Sequence, residues 1–246
     1  MKFDFKGKII IITGSTRGIG KKIAEDLFSL GATLILTGTN KKEVKELNNL
    51  KRPNVRYYYL DNLKKKSVDS FLEDISDLDL IHGLVNNAGI NRLNFVQNVN
   101  LSDWNDMISV NLTTPFRLIK AVSTKMISNN YGRILNIASI FSVISKEKRV
   151  AYSSTKFGLN GLTIGTSNDV SKYNILCNSL SPGFVMTDLT KKNLSEKEIK
   201  ELSSQIPIKK FGTTSDVSNV AVFLLSDLNQ YITGQNIIVD GGYTNV

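Results

Sequence analysis

Tyr152 and Lys156 are separated by Ser153, Ser154 and Thr155. On a helix this spacing puts both side chains on one face, roughly 6 Å apart. An ammonium that close favours the tyrosinate and should draw the phenol below its usual ~10, giving a proton donor and acceptor usable near neutrality. Such pairs are common on solvated helix faces, so this one gains meaning from Ser139, which closes the apolar run Arg133–Ala138. A doubly wound sheet offers its ligand contacts at the ends of such strands. A second constellation, Thr13-Gly14-Ser15-Thr16-Arg17-Gly18-Ile19-Gly20, follows the β-branched run Lys8–Ile12. Its glycines permit a tight turn and close backbone approach, and a helix N-terminus offers unpaired N–H groups and a positive dipole end to a pyrophosphate. The spacing is Gly-x3-Gly-x-Gly, and the glycines alone would also serve a plain strand-to-helix turn.

The elements that must position these residues alternate along the chain. Strand patterns at Lys8–Ile12, Thr33–Thr37, Val55–Leu60, Leu80–Val85, Arg133–Ala138, Ile175–Leu180 and Asn236–Val239 are apolar or β-branched, as expected of strands covered on both faces. Helical patterns intervene at Lys21–Leu30, Lys41–Leu50, around Val68–Ile75, from an N-cap at Ser102 to about Ser128, over Ala151–Val170, and around Val217–Leu224. Ser195-x-x-Glu198 is a capping-box signature for one more short helix. Pro115 is expected either to kink the long helix or to sit at a first-turn-like break within it. Seven strands alternating with helices, without repeats or linkers, predict one α/β domain over residues 1–246, a doubly wound parallel sheet in a three-layer αβα sandwich.

Composition excludes several classes. Hydrophobic residues make up 41% and charged residues 22%, as in a globular chain and unlike a disordered or fibrous one. The single Cys177 allows no internal disulfide, no apolar stretch approaches a bilayer span, and the N-terminus lacks the apolar core of a signal peptide, so a cytoplasmic location is expected. The net charge of +9 favours anionic partners without saying which, or is simply a lysine-rich surface. Tyr57-Tyr58-Tyr59 falls on a strand, where packing explains it better than nucleic-acid binding. His82 and Cys177 read as packing residues, and Trp104 as an anchor of the long helix. No metal, nucleic-acid or membrane partner is expected.

Taken together, the chain resembles the short-chain dehydrogenase/reductase superfamily along nearly its whole length. The resemblance rests on Thr13–Gly20, Asn86-Asn87-Ala88-Gly89, Asn111, Ser139, Tyr152-x3-Lys156, Pro182-Gly183 and the segment Gly234–Gly242. It implies a Rossmann-type fold and hydride exchange between a nicotinamide cofactor and a carbonyl or alcohol. By resemblance, Tyr152 is the general acid and base, and Ser139 bonds the substrate oxygen. Lys156 lowers the tyrosine pKa with help from the nicotinamide charge and binds the nicotinamide ribose, and Asn111 helps hold a relay water. Gly14, Gly18, Ile19 and Gly20 would cradle the pyrophosphate, and Ser15, Thr16 and Arg17 of the same loop would also bind the cofactor. Thr39 would lie at the adenosine ribose, Asp61 and Asn62 at the adenine, and Asn87, Ala88 and Gly89 beside the ribose. Pro182, Gly183, Val185 and Thr187 would lie at the nicotinamide, with Tyr152 and Lys156. For Asn87 and Gly89, shaping the turn is an equal alternative.

An acidic residue at the end of the second strand would bond a free 2′-hydroxyl and repel a 2′-phosphate. Here the position is Gly38, followed by Thr39, Asn40, Lys41 and Lys42, with Arg17 nearby. NADP(H) is therefore expected, with NAD(H) as the alternative. The pattern is nearest that of 3-oxoacyl-(acyl carrier protein) reductases, with sugar and polyol dehydrogenases as the alternative and a non-catalytic dinucleotide-binding protein as the competing class. Acyl carrier protein as a partner is in doubt, because Ser128-Asn129-Asn130-Tyr131 lacks the basic residues such reductases offer there, although Lys172 partly compensates. Phe141–Val150, with Lys146, Lys148 and Arg149, could meet an anionic substrate or be a solvated loop. Thr187–Ile206 looks like the family's lid. The resemblance also implies a homodimer or homotetramer built on the Ser102–Ser128 and Ala151–Val170 helices.

Overall fold

The computed structural model describes residues 3–245, apart from the side chains of Leu189 and Asn193. Seven parallel strands form the central sheet: β1 (Ile9–Ile12), β2 (Thr33–Gly38), β3 (Val55–Tyr59), β4 (Gly83–Asn86), β5 (Gly132–Ile137), β6 (Ile175–Pro182) and β9 (Asn236–Val239). Their order is β3-β2-β1-β4-β5-β6-β9, so the winding reverses between β1 and β4. That reversal opens a crevice beyond the strands' carboxyl ends. A two-residue parallel pair, β7 (Val185–Met186) with β8 (Gly212–Thr213), was not legible in the sequence.

Helices cover both faces. On one face α1 (Gly18–Ser29) and α9 (Thr214–Leu225) bury Ile23, Leu27, Val217 and Ala221 against Ile10, Ile12, Leu34 and Leu135. On the other, α3 (Lys65–Ser76) and α5 (Thr114–Ser128) bury Phe71, Ile75, Leu118 and Val122 against Ile11, Ile35, Leu84 and Ile134. Ile10, Ile11 and Ile12 thus alternate between two cores, which is why β1 carries no polar position. The remaining helices are α2 (Lys41–Asn49), α4 (Leu101–Ile108), α6 (Val150–Val170), α7 (Asp188–Asn193) and α8 (Glu196–Gln205).

The structure moves several expected boundaries. The long helix is capped by Asn100, whose side chain accepts from the Asp103 N–H at 2.7 Å, not by Ser102. Its interruption is a π turn over Ser109–Thr113 between α4 and α5, not a simple kink at Pro115. Pro115 has no N–H to give the Asn111 carbonyl four residues back, so the α-helical ladder cannot run through. β4 starts at Gly83, later than the apolar run suggested, because Leu80 is exposed. β6 extends to Pro182, since Ser181 and Pro182 pair with Ile238 and Val239.

The packing readings hold. Tyr58 meets Phe71 edge to face at 5.7 Å while Tyr57 packs into the opposite core. His82 accepts from the Ile9 N–H through Nδ1 at 3.0 Å, and Cys177 is fully buried. The Ser195/Glu198 capping box forms, as does a second at Thr213/Asp216. Among the described residues, no helix is long and apolar enough to cross a membrane.

Candidate active site

The glycine loop is locked to the strands beside it. Gly14 and Gly18 take left-handed φ values of +61° and +59°, which glycine adopts without strain. Asn87 Nδ2 donates to the carbonyls of Thr13 (3.0 Å) and Gly14 (2.9 Å), and Thr13 Oγ1 accepts from the N–H groups of Asn87 and Ala88, each at 3.0 Å. A Cβ on Gly20 would collide with Asn87, and one on Gly14 would sit 3.0 Å from the Ala88 Cα. The first turn of α1 therefore lies against the end of β4, its N–H groups free for an anion. Of the two roles expected of Asn87, its side chain takes the one that shapes this turn. Ser15 is also structural: it is 1% exposed and its hydroxyl accepts from the Thr37 N–H at 3.1 Å.

Arg17 is exposed at the N-cap of α1. Across from it Gly38 ends β2, and a Cβ there would come 2.6 Å from Thr16 Cγ2. Any side chain at Gly38 would have to displace the Thr16 side chain. Thr39 follows, and Asn40 caps α2, accepting from Lys42 and Glu43 N–H groups. Lys41 lies over the Tyr59 ring at 4.8 Å, while Lys42 pairs with Glu46.

Beyond β3, Asp61 is held by Lys64 at 2.9 Å and by the Leu63 N–H at 3.2 Å. Burial alone would raise its pKa, but Lys64 and the Leu63 N–H reverse the direction and keep it ionised. Asn62 is 8% exposed, and its Oδ1 has no partner among the described residues. A buried orphan acceptor calls for a donor from a ligand, and a purine amino group would supply one. Asn62 and the glycine cradle thus fit an adenine dinucleotide on observations of this chain alone.

At the far end of the crevice, Ser139, Tyr152 and Lys156 come together, brought by the loop after β5 and the first turns of α6. Lys156 Nζ lies 5.7 Å from the Tyr152 ring centroid, confirming the shared helix face. Nζ is buried and donates to the Ile137 carbonyl at 2.8 Å. A Cβ on Gly89 would lie 3.7 Å from it and 3.5 Å from Asn111 Oδ1.

The expected direction of the Tyr152 shift is not what the structure gives. Burial raises the phenol above its ordinary value, the nearby Ser139 hydroxyl and the Arg149 guanidinium only partly opposing it. Lys156 instead yields its own proton more readily, its pKa lowered by burial to about 8. Burial drives both shifts, and what opposes it at Tyr152 comes from Ser139 and Arg149, not from Lys156.

Asn111 also differs in detail. Its amide clamps Ile90, donating to the carbonyl and accepting from the N–H, both at 2.9 Å, and donates to Thr155 Oγ1 at 3.1 Å. The side chain is thus spent on holding the loop after β4. Thr155 was not singled out in the sequence, although its place three residues after Tyr152 put it on the same face.

Pro182 ends β6. Gly183 donates to the Val239 carbonyl at 2.9 Å, and a Cβ there would strike Asp240 at 2.7 Å. Val185 lies in β7, and Thr187 caps α7, accepting from the Thr190 N–H at 3.1 Å. Thr187 Cγ2 would lie 3.9 Å from a Cβ on Gly18, so the base of the helical segment α7–α8 faces the glycine loop. Phe141 and Arg149 complete the wall near Tyr152, with ring centroids of Phe141 and Tyr152 6.3 Å apart.

A dinucleotide cradle at the winding reversal and a Ser-Tyr-Lys cluster at its far end define an oxidoreductase site. The chain belongs to the short-chain dehydrogenase/reductase family: residues 14–244 match the family model described as enoyl-(acyl carrier protein) reductase. Among curated relatives, it is 40% identical to the 3-oxoacyl-(acyl-carrier-protein) reductase FabG of Aquifex aeolicus, covering 98% of this chain and 99% of that one. It is 35% identical to the enzyme of the same name from Escherichia coli, covering 97% and 98%. Among solved structures it is similar to a gluconate 5-dehydrogenase from Burkholderia cenocepacia in complex with NADP and tartrate, with a TM-score of 0.90 and 28% identity over 99% of this chain and 98% of that one.

Because the Lys156 pKa falls from 10.5 to about 8, the folded chain binds fewer protons than the unfolded chain between those values. The cost of burying the ammonium is fully present below pH 8 and is relieved as pH rises toward 10.5. Across that window, wild type is expected to gain roughly 3 kcal/mol relative to Lys156→Met. Urea unfolding of both proteins at several pH values reads this out, and a difference independent of pH would refute it.

Proposed function

We propose that this protein reduces a ketone to a secondary alcohol with NADPH, acting in the cytoplasm as one domain over residues 1–246, with 3-oxoacyl thioesters as its first substrate class. The observation that carries the reaction is the meeting of Ser139, Tyr152 and Lys156 beside an adenine-dinucleotide cradle. The relatives named for 3-oxoacyl reduction support the substrate. Carrier-protein recognition has less support, because Ser128–Tyr131 offers no basic residue. The gluconate 5-dehydrogenase neighbour favours a second reading, a keto-sugar acid.

The bound cofactor supplies the hydride. Tyr152 gives the carbonyl oxygen its proton, and a phenol held above its ordinary value is fully protonated at neutral pH, which suits the acid role in reduction. Ser139 donates a hydrogen bond to the same oxygen, stabilising the developing alkoxide. Lys156 has two ammonium protons left after bonding Ile137, one to bind the nicotinamide ribose and one to stabilise the tyrosinate and return its proton. Asn111 fixes the loop after β4 and helps hold the relay water. Gly14, Gly18, Ile19 and Gly20 hold the pyrophosphate, Asn62 the adenine, and Arg17 with Thr39 the 2′-phosphate, since no carboxylate occupies the end of β2. NAD(H) is the weaker ligand on the same argument.

Tyr152→Phe should lower kcat/KM by about a hundred- to ten-thousand-fold while still binding NADPH. Near-wild-type turnover on any accepted ketone would refute the mechanism. Arg17→Ala should weaken NADPH binding by about 1–3 kcal/mol with little effect on NADH, and equal losses for the two cofactors in direct titration would count against the 2′-phosphate role. Phe116, Phe157 and Ile164 stay exposed on the α5 and α6 helices, which supports self-association through these faces as a homodimer or homotetramer. Light scattering should show an oligomer, and a stable monomer would contradict it.

A further inference from the structure

Arg149 stands three residues before Tyr152, at the N-cap of α6, and so on the same helix face. Its guanidinium lies over the Phe141 ring at 4.7 Å, and that ring meets the Tyr152 ring edge to face. The side chain is half-buried, yet among the described residues no carboxylate pairs with it, and the charged form it influences is the Tyr152 phenolate. Burial lowers its pKa, and the Tyr152 side chain only partly opposes this.

The other arginine near this wall differs. Arg92, on the loop after β4, is neutralised by Asp103 and by Asp106. The two loops are tied together, because the Asn94 N–H donates to the Lys148 carbonyl at 3.2 Å and Lys148 Nζ lies over the Phe95 ring. Lys148 itself takes a left-handed φ of +64°, a conformation costly for lysine. The turn that presents Arg149 is thus held from both sides, while its guanidinium carries five donors and no acidic partner.

A half-buried, unpaired guanidinium beside a proton donor is poorly explained by stability, because buried charges are ordinarily paired. We infer that Arg149 binds an anionic group, a carboxylate or a phosphate, carried by the substrate a few bonds from the carbonyl that Tyr152 protonates. The inference rests on the ketone-reductase reading above and, of its two substrate classes, favours the acidic ketone over the 3-oxoacyl thioester. The planar fork of arginine suits either anion with two parallel hydrogen bonds, and lysine could supply only a point charge.

The test compares acetoacetate with its methyl ester, and dihydroxyacetone phosphate with dihydroxyacetone, in wild type, Arg149→Gln and Arg149→Lys. The readout is the ratio of kcat/KM for the acidic ketone over its neutral partner, in which any effect of Arg149 on Tyr152 itself cancels. In Arg149→Gln the ratio should fall at least about tenfold, with Arg149→Lys between. The pair that shows the fall tells carboxylate from phosphate. A ratio unchanged in both pairs, or equal losses on acidic and neutral ketones, would overturn the inference. Calorimetric titration of malonate and of inorganic phosphate into the NADPH-saturated proteins tests the same receptor independently of turnover. Anion affinity that drops in Arg149→Gln while NADPH affinity holds supports Arg149 as the receptor. Affinity equal in the two proteins, absent in both, or lost together with that for NADPH, refutes it. If wild type reduces no ketone at all, the reductase reading fails, and the calorimetry still decides whether Arg149 binds an anion.

Discussion

The site depends on one contact, the hydrogen bond from the buried Lys156 ammonium to the Ile137 carbonyl. Removing an ammonium from water costs several kcal/mol even after relaxation, and among the described residues no carboxylate repays it. The last carbonyl of β5 takes one proton and leaves the others aimed at the cleft, so the charge is held in place without being neutralised. Most of the surrounding architecture keeps that carbonyl and that helix in register. β5 is paired on both sides by β4 and β6. α6 is pinned through Thr155 to Asn111, and Asn111 in turn grips Ile90. The π turn before Pro115 is where the long helix gives up regularity beside this clamp.

Much of this was legible in the sequence, for identifiable reasons. Strands buried on both faces write themselves as β-branched runs, as β1 does, and the part-exposed edge strand β9 still falls at Asn236–Val239 as read. The shared face of Tyr152 and Lys156 follows from helical period alone. What was not legible depends on the density of the fold around a group. The direction of the Tyr152 shift turned on burial, which spacing does not report. Ser15 and Asn87 sit in a ligand-binding motif yet spend their side chains on the protein, because a loop this tight needs internal partners before it can face a phosphate. Asn100 displaced Ser102 as a cap because both are suitable residues two positions apart and only tertiary packing chose between them.

The excess positive charge is partly resolved by geometry. Lys22, Lys65, Arg92 and Arg117 face carboxylates on their own or neighbouring helices and so contribute little field of their own. Among the described residues, Arg17 and Arg149 lie at opposite ends of the crevice without such partners, and the buried Lys156 ammonium adds a third uncompensated cation between them. A crevice with cations at both ends and low-dielectric walls concentrates anions along its length, a property net charge alone could not reveal.

The close approach of Gly183 to Asp240 ties the turn after β6 to the end of the strand that comes last in the chain. The turn after β6 takes its shape from the Val239 carbonyl and from the lack of a side chain facing Asp240. The glycine loop, the Asn62 pocket and the Ser-Tyr-Lys cluster are all built from elements that precede β9 in the chain. The turn after β6 is the one part of the crevice that borrows its shape from the edge strand, so disturbance at that edge reaches the cleft through this turn first.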